Sequence, residues 1–122
     1  MDKLVLIADD DFKNTVLIRD LLQTFSYTVI EATNGSQAVE LARTRKPYLI
    51  LMDIHMPVMD GLQATRILKN DAATKEIPIV ALTASATRAD RDKVLQAGCD
   101  EFITKPINIK AFLNTVSHYF TV

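Results

Sequence analysis

The sequence predicts an α/β fold: a doubly wound sheet of five parallel strands alternating with five helices. Three observations carry that expectation. Short apolar runs of four to six residues alternate from end to end with amphipathic stretches of helical period. Most of the strand runs are continuously apolar, as strands covered on both faces must be. No linker, repeat or composition break divides the chain, so its 122 residues read as one domain over 1–122.

The elements follow in order. Lys3 to Ala8 (KLVLIA) is an apolar run bounded by acids and reads as a buried parallel strand. Asp11 is placed to cap a helix whose apolar face carries Leu17, Ile18, Leu21, Leu22 and Phe25. Thr28 to Ala32 (TVIEA) is the second strand. Asn34-Gly35 opens a helix with Ala38, Leu41 and Ala42, which stops before Pro47. Tyr48 to Met52 (YLILM) is the clearest strand and runs out at Asp53; a loop from Ile54 to Gly61 then leads to a helix with Leu62, Thr65 and Leu68. Ile77 to Leu82 (IPIVAL) is the fourth strand, with Pro78 near its start, where a missing donor is tolerated. A helix from about Thr87 to Ala97 ends at Gly98, a good residue for a left-handed helix stop. Glu101 to Thr104 is a short fifth strand. Asn108 can cap a last helix with Ile109, Phe112, Leu113, Val116 and Phe120 on one face.

Composition removes several functional classes. The charge is nearly balanced, 14 Lys+Arg against 15 Asp+Glu, which gives no electrostatic argument for nucleic acid or an acidic membrane surface. The apolar runs fall far short of the roughly 20 residues that span a bilayer. A single cysteine, Cys99, excludes an intrachain disulfide and a cysteine-based zinc site. With no signal peptide, this fits a cytoplasmic protein. The acids are lopsided, eleven Asp to four Glu. Asp is poor inside helices but good at caps, turns and metal sites, so the positions of these residues matter more than their number.

In an open parallel sheet, ligands bind beyond the C-terminal ends of the strands. Those ends carry Asp9, Asp10 and Asp11 after strand one, Asp53 after strand three, Thr83 after strand four, and Thr104-Lys105-Pro106 after strand five. In the common doubly wound order, 2-1-3-4-5, strands one and three are neighbours and their carboxylates meet. Such a cluster must protonate, hydrate or bind a cation. All-oxygen ligation with few protein ligands suits Mg²⁺. A magnesium site beside a free carboxylate is an arrangement for phosphoryl transfer, in which the carboxylate can itself become an acyl phosphate. Lys105 would offer a point charge to phosphoryl oxygens and Thr83 a hydroxyl.

The ordered set Asp9-Asp10, the run Met52-Asp53-Ile54-His55-Met56-Pro57-Val58-Met59-Asp60-Gly61, Thr83-Ala84 and Lys105-Pro106 resembles the receiver domain of two-component response regulators, a flavodoxin-like fold. The likeness covers nearly the whole chain. It implies that Asp53 accepts a phosphoryl group from a phosphohistidine on a histidine kinase or histidine phosphotransfer protein. It implies further that Asp9 and Asp10 form the acidic pair, and that Asp10, Asp53 and the backbone carbonyl of His55 ligate Mg²⁺. Lys105 would pair with the phosphoryl oxygens, with the Lys105-Pro106 peptide cis. The resemblance makes Thr83 and the aromatic on strand five, here Phe102, a switch pair. A Phe lacks the hydroxyl that marks two states in relatives with Tyr, so burial of Phe102 is expected in both states and its coupling is expected to be weak. The same analogy places a downstream protein partner, or a weak phosphorylation-dependent dimer, on the face of the fourth helix, fifth strand and fifth helix. It places the phosphodonor at the first helix and the loop after strand five.

The remaining residues have plainer readings. Asp11 is a cap, Asp60-Gly61 shapes the loop, Cys99 is packed, and Met52, Met56 and Met59 serve core and loop packing. His55 and His118 are surface residues, with His55 also near enough to orient or obstruct an attacking water. Arg88 to Lys93 is a mixed-charge face. Leu17 and Ile18 fit either core or phosphodonor contact. Three rival functions differ in chemistry. An Asp-nucleophile phosphohydrolase would use Asp9 of the Asp9-Asp10-Asp11 run, but Lys13 stands where its pattern has Thr or Val. A flavin-binding redox protein would need a phosphate-cradling loop where three aspartates stand. A degenerate receiver would lack part of the Asp, Thr and Lys set. The pathway, and the choice between a stand-alone regulator and a receiver from a larger protein, stay open.

Overall fold

The structure, a computed structural model, describes residues 3–85 and 87–120; the limits of the expected domain, 1 and 122, lie outside them. The strands are β1 (Leu4–Ala8), β2 (Thr28–Ala32), β3 (Leu49–Asp53), β4 (Ile79–Thr83) and β5 (Glu101–Thr104). The helices are α1 (Phe12–Thr24), α2 (Gly35–Arg45), α3 (Gly61–Lys69), α4 (Arg88–Ala97) and α5 (Ile109–Phe120). All strand pairs are parallel, and the order is β2-β1-β3-β4-β5, as expected from the sequence.

Alternation along the buried strands divides the core into two layers. Leu6, Ala8, Ile50, Met52, Ile79 and Ala81 face α2, α3 and α4 through Ala38, Ala42, Ala64, Leu68 and Val94. Val5, Ile7, Leu49, Leu51, Val80 and Leu82 face α1 and α5 through Ile18, Leu22, Phe112 and Val116. Strands sandwiched in this way are buried at every position, as β1, β3 and β4 are, and so they are apolar until Asp53 and Thr83 at the C-terminal ends of β3 and β4. Leu17 and Ile18 separate cleanly: Ile18 is buried and Leu17 is exposed.

The helix starts follow the expected chemistry. Asp11, Asn34, Asp60 and Thr87 each accept a backbone N–H from the first turn of α1, α2, α3 and α4. The Asn108 carboxamide accepts from Ala111 N–H at 3.0 Å at the start of α5. Asp60 is thus a helix cap as well as a loop former, and α3 begins one residue earlier than the apolar pattern indicated. Gly98, at φ 105°, closes α4.

β4 is displaced from the expected Ile77–Leu82 to Ile79–Thr83. The Ile77 N–H still closes the preceding turn on Thr74, and Pro78 has no N–H, so Pro78 joins the sheet only through its carbonyl, to Ile50 N–H at 3.0 Å. At the other end Thr83 pairs with Thr104. β3 likewise includes Asp53, paired with Leu82. The strands therefore carry two of the expected site residues to their very last positions.

Candidate functional site

The registers assemble the site. Ala8 stands opposite Met52, so the next residues along β1 and β3, Asp9 and Asp53, emerge side by side at the C-terminal rim. Two glycines fix the loop that follows Asp53. A Cβ on Gly61 would lie 2.1 Å from the Asp53 carbonyl oxygen, and one on Gly35 would lie 2.3 Å from the Met59 carbonyl oxygen. Only glycine permits those backbone approaches; Gly35 N–H also donates to Met59 O at 2.9 Å, pinning the loop to the start of α2.

Carboxylate oxygens of Asp9, Asp10 and Asp53 all lie within 4.8 Å of one another, with Asp9 and Asp53 buried and Asp10 exposed. Lys105 Nζ bridges the buried pair, at 3.1 Å from Asp9 Oδ2 and 3.2 Å from Asp53 Oδ2. The Lys105-Pro106 peptide is cis. Asp9 is fully engaged: its Oδ1 accepts from Asp11 N–H at 2.9 Å, and its Oδ2 accepts from the Asn14 amide at 2.6 Å as well as from Lys105. Asp53 accepts from His55 N–H at 3.1 Å through Oδ1 and from Lys105 through Oδ2.

These environments divide the charge. Burial pushes the Asp53 carboxyl up to about 6; the His55 N–H works against this and the neighbouring Asp9 adds to it. Burial also acts upward on Asp9, but the hydrogen bonds from Asp11 N–H and the Asn14 amide hold it below the ordinary carboxylate value. Burial would lower Lys105, yet the two carboxylates outweigh it and hold the ammonium charged. Three carboxylates against one ammonium leave the ionised pocket two negative charges in excess. An all-oxygen donor set with that excess fits a hard divalent cation.

The other expected residues are placed as follows. Thr83 is buried at the end of β4, its hydroxyl engaged with Ser85 in the β4–α4 loop. Phe102 on β5 lies between buried and exposed, packed on the core on one side and covered by the Arg91 guanidinium, 5.2 Å from the ring centroid, on the other. The His55 side chain is exposed, and its backbone is held by Asp53. Cys99 is buried and His118 exposed. Sequence reasoning missed Asn14, whose amide fixes Asp9; its position three residues after the Asp11 cap was the available signal.

Residues 5–117 match the sequence profile of the response regulator receiver domain. The chain belongs to the receiver domain family. Curated relatives agree: the polar-differentiation response regulator DivK of Brucella anthropi is 41% identical over 119 residues, covering 98% of this chain and 97% of that protein. Among solved structures, the receiver domain of a Pseudomonas aeruginosa sensor histidine kinase, described with a magnesium ion coordinated in its active-site cleft, is 32% identical with a TM-score of 0.90, covering 98% of each chain. The receiver domain of the Saccharomyces cerevisiae response regulator Ssk1, in co-crystals with the histidine phosphotransfer protein Ypd1, is 28% identical with a TM-score of 0.89, covering 97% of this chain and 88% of that one. This receiver is thus a signalling domain of the two-component phosphorelay, and its acidic cluster is able to hold a metal ion. No helix among the described residues is long and apolar enough to cross a membrane.

Proposed function

We propose that Asp53 is the phosphoacceptor of this receiver and takes its phosphoryl group from a phosphohistidine in a Mg²⁺-dependent step. The observation that carries the reading is the asymmetry between the two buried carboxylates. Asp9 accepts three hydrogen bonds and is held in its ionised form by them; Asp53 accepts only two, from His55 N–H and Lys105, and burial raises its carboxyl. Asp9 is thereby suited to ligation or charge balance and Asp53 to attack, which also disfavours a phosphohydrolase working through Asp9.

In the transfer, a carboxylate oxygen of Asp53 forms a bond to phosphorus while the P–N bond breaks and its electron pair returns to the imidazole of the donor. The product is an acyl phosphate. Lys105 Nζ, already beside Asp53 Oδ2, pairs with a phosphoryl oxygen, and the Thr83 hydroxyl donates to another. Asp10, Asp53 and the His55 carbonyl are the residues that would hold Mg²⁺, with Asp9 beside them; when bound, the ion would supply positive charge to offset the negative charge developing on the phosphoryl oxygens. Limited self-catalysed phosphotransfer and hydrolysis follow from the same constellation.

The phosphodonor, a histidine kinase or histidine phosphotransfer protein, is expected at α1 and the β5–α5 loop; Phe12 and Leu17 on α1, and Ile109 at the start of α5, are exposed. The likeness to the Ssk1 receiver supports that class of partner. A downstream protein partner, or a weak phosphorylation-dependent self-association, is assigned to the α4–β5–α5 face, and the protein to the cytoplasm. The test is phosphorylation by acetyl phosphate. The wild-type chain should be labelled with Mg²⁺ and not in excess chelator, and Asp53→Asn should remain unlabelled while keeping its folded circular dichroism. Labelling of a folded Asp53→Asn protein at the wild-type rate would overturn the proposal.

A further inference from the structure

The Thr83 hydroxyl is already committed. It donates to the Ser85 carbonyl oxygen at 3.0 Å and accepts from Ser85 N–H at 3.1 Å. A hydroxyl has one proton to give, so Thr83 cannot donate to an oxygen on Asp53 while it holds Ser85. Ser85 is itself tethered. Its hydroxyl donates to Asp90 Oδ2 in a short contact, and the Thr87 hydroxyl donates to the same oxygen at 2.7 Å. Asp90 sits in the first turn of α4, where its N–H donates to Thr87 Oγ1 at 3.2 Å. The next residue, Arg91, lies over Phe102. One turn of α4 therefore reaches Thr83 through Ser85 and meets Phe102 directly through Arg91.

We propose that Asp90 is a positioning residue, which holds Ser85 where it keeps the Thr83 hydroxyl engaged away from Asp53. The inference rests on the reading of Asp53 and Thr83 given above and names the restraint acting on that site. Releasing Thr83 requires the Ser85 carbonyl to move, and the Ser85–Asp90 bond opposes that movement. A charge-assisted hydrogen bond is among the stronger tethers a loop can carry. A ligand that needs the Thr83 proton therefore binds against the tether, and weakening the tether shifts the population toward the competent arrangement.

The experiment is titration of the full chain with beryllium fluoride, a phosphoryl mimic, in the presence of Mg²⁺, followed by calorimetry. Asp90→Ala and Ser85→Ala should each bind about threefold to tenfold more tightly than wild type. Asp90→Asn keeps an oxygen acceptor for both hydroxyls and should stay within about twofold of wild type. Thr83→Ala should weaken binding, and adding Asp90→Ala to it should change nothing further, since the two residues act through one bond chain. If Thr83→Ala weakens binding but Asp90→Ala and Ser85→Ala do not alter it, the positioning role fails and the reading of Thr83 stands. An Asp90→Ala effect that persists in the Thr83→Ala background would place its action in α4 itself and overturn the inference. A Thr83→Ala protein that binds like wild type overturns the Thr83 reading and the inference with it.

Discussion

Val58 occupies backbone space that a β-branched residue rarely enters. Its φ is 67°, the residue is 85% exposed, and the Met59 N–H reaches back to the Pro57 carbonyl at 2.7 Å, a three-residue γ-turn centred on Val58. The strain sits in the loop between Asp53 and α3, and no buried apolar contact of Val58 offsets it. Val58→Gly should stabilise the protein by about 1 kcal/mol, the relief of strain exceeding the extra chain entropy of glycine; a urea midpoint that falls would contradict this. Asp53 gives a second prediction at this scale. Its carboxyl titrates near 6 in the folded state against 3.8 ordinarily. Between about pH 4 and 6 the metal-free native state binds more protons than the unfolded chain. The stabilising contribution is therefore complete below about pH 4 and lost as pH rises through about 6, an effect on the order of 2–3 kcal/mol. Asp9 is shifted the other way and acts only below that window. Urea unfolding in chelator at pH 4.5 and 7 should show wild type losing stability relative to Asp53→Asn over that range; parallel behaviour of the two would contradict the assignment.

At the level of elements, Lys69 ties α3 to the loops that lead into β4 and β5. From the last turn of α3 its ammonium donates to the carbonyls of Lys75 at 3.2 Å and Ile77 at 2.8 Å, and to the Asp100 carboxylate at 3.1 Å. Asp100 in turn accepts from Ile79 N–H at 2.8 Å at the head of β4. Lys69→Met keeps the apolar stem and removes all three bonds, and should cost about 2 kcal/mol in denaturant unfolding while leaving phosphorylation by acetyl phosphate unchanged. A loss below about 0.5 kcal/mol would show the knot to be dispensable. Such knots mark what the sequence did not disclose. Strand ends were legible because an apolar run stops where the chain leaves the core, and this placed Asp9, Asp53, Thr83 and Lys105 at one rim. Helix starts were legible because Asp11, Asn34 and Asn108 cap by local chemistry. Lys69 with Asp100 and Ser85 with Asp90 were not, since each pairing depends on the path of a loop or on elements that meet only after folding; Asn14 with Asp9 had only the weak signal of its place in the first turn after the Asp11 cap. The shift of β4 past Pro78 had a local cause, but the turn that consumes the Ile77 N–H had no sequence mark.

For the whole molecule, a net charge of −1 conceals a strongly uneven distribution. The acids that matter are drawn from β1 and β3 into one pocket, with a single lysine from the end of β5 to offset them. Folding thus brings together like charges that the unfolded chain keeps apart, and a divalent cation that binds only the folded state should repay that repulsion. Mg²⁺ at about 100 times its Kd should add about 2.7 kcal/mol and raise Tm by several degrees at pH 7.5. Asp10→Asn should reduce the shift, and no shift at saturating Mg²⁺ would contradict the metal assignment. The central claim, that this pocket exists to phosphorylate one particular carboxylate, is tested most directly by locating the phosphoryl group. After treatment with acetyl phosphate and Mg²⁺, borohydride reduction and mass spectrometry of peptides should find the modified aspartate at Asp53. Modification at Asp9 instead would show that the pocket uses the other carboxylate and that the account is wrong.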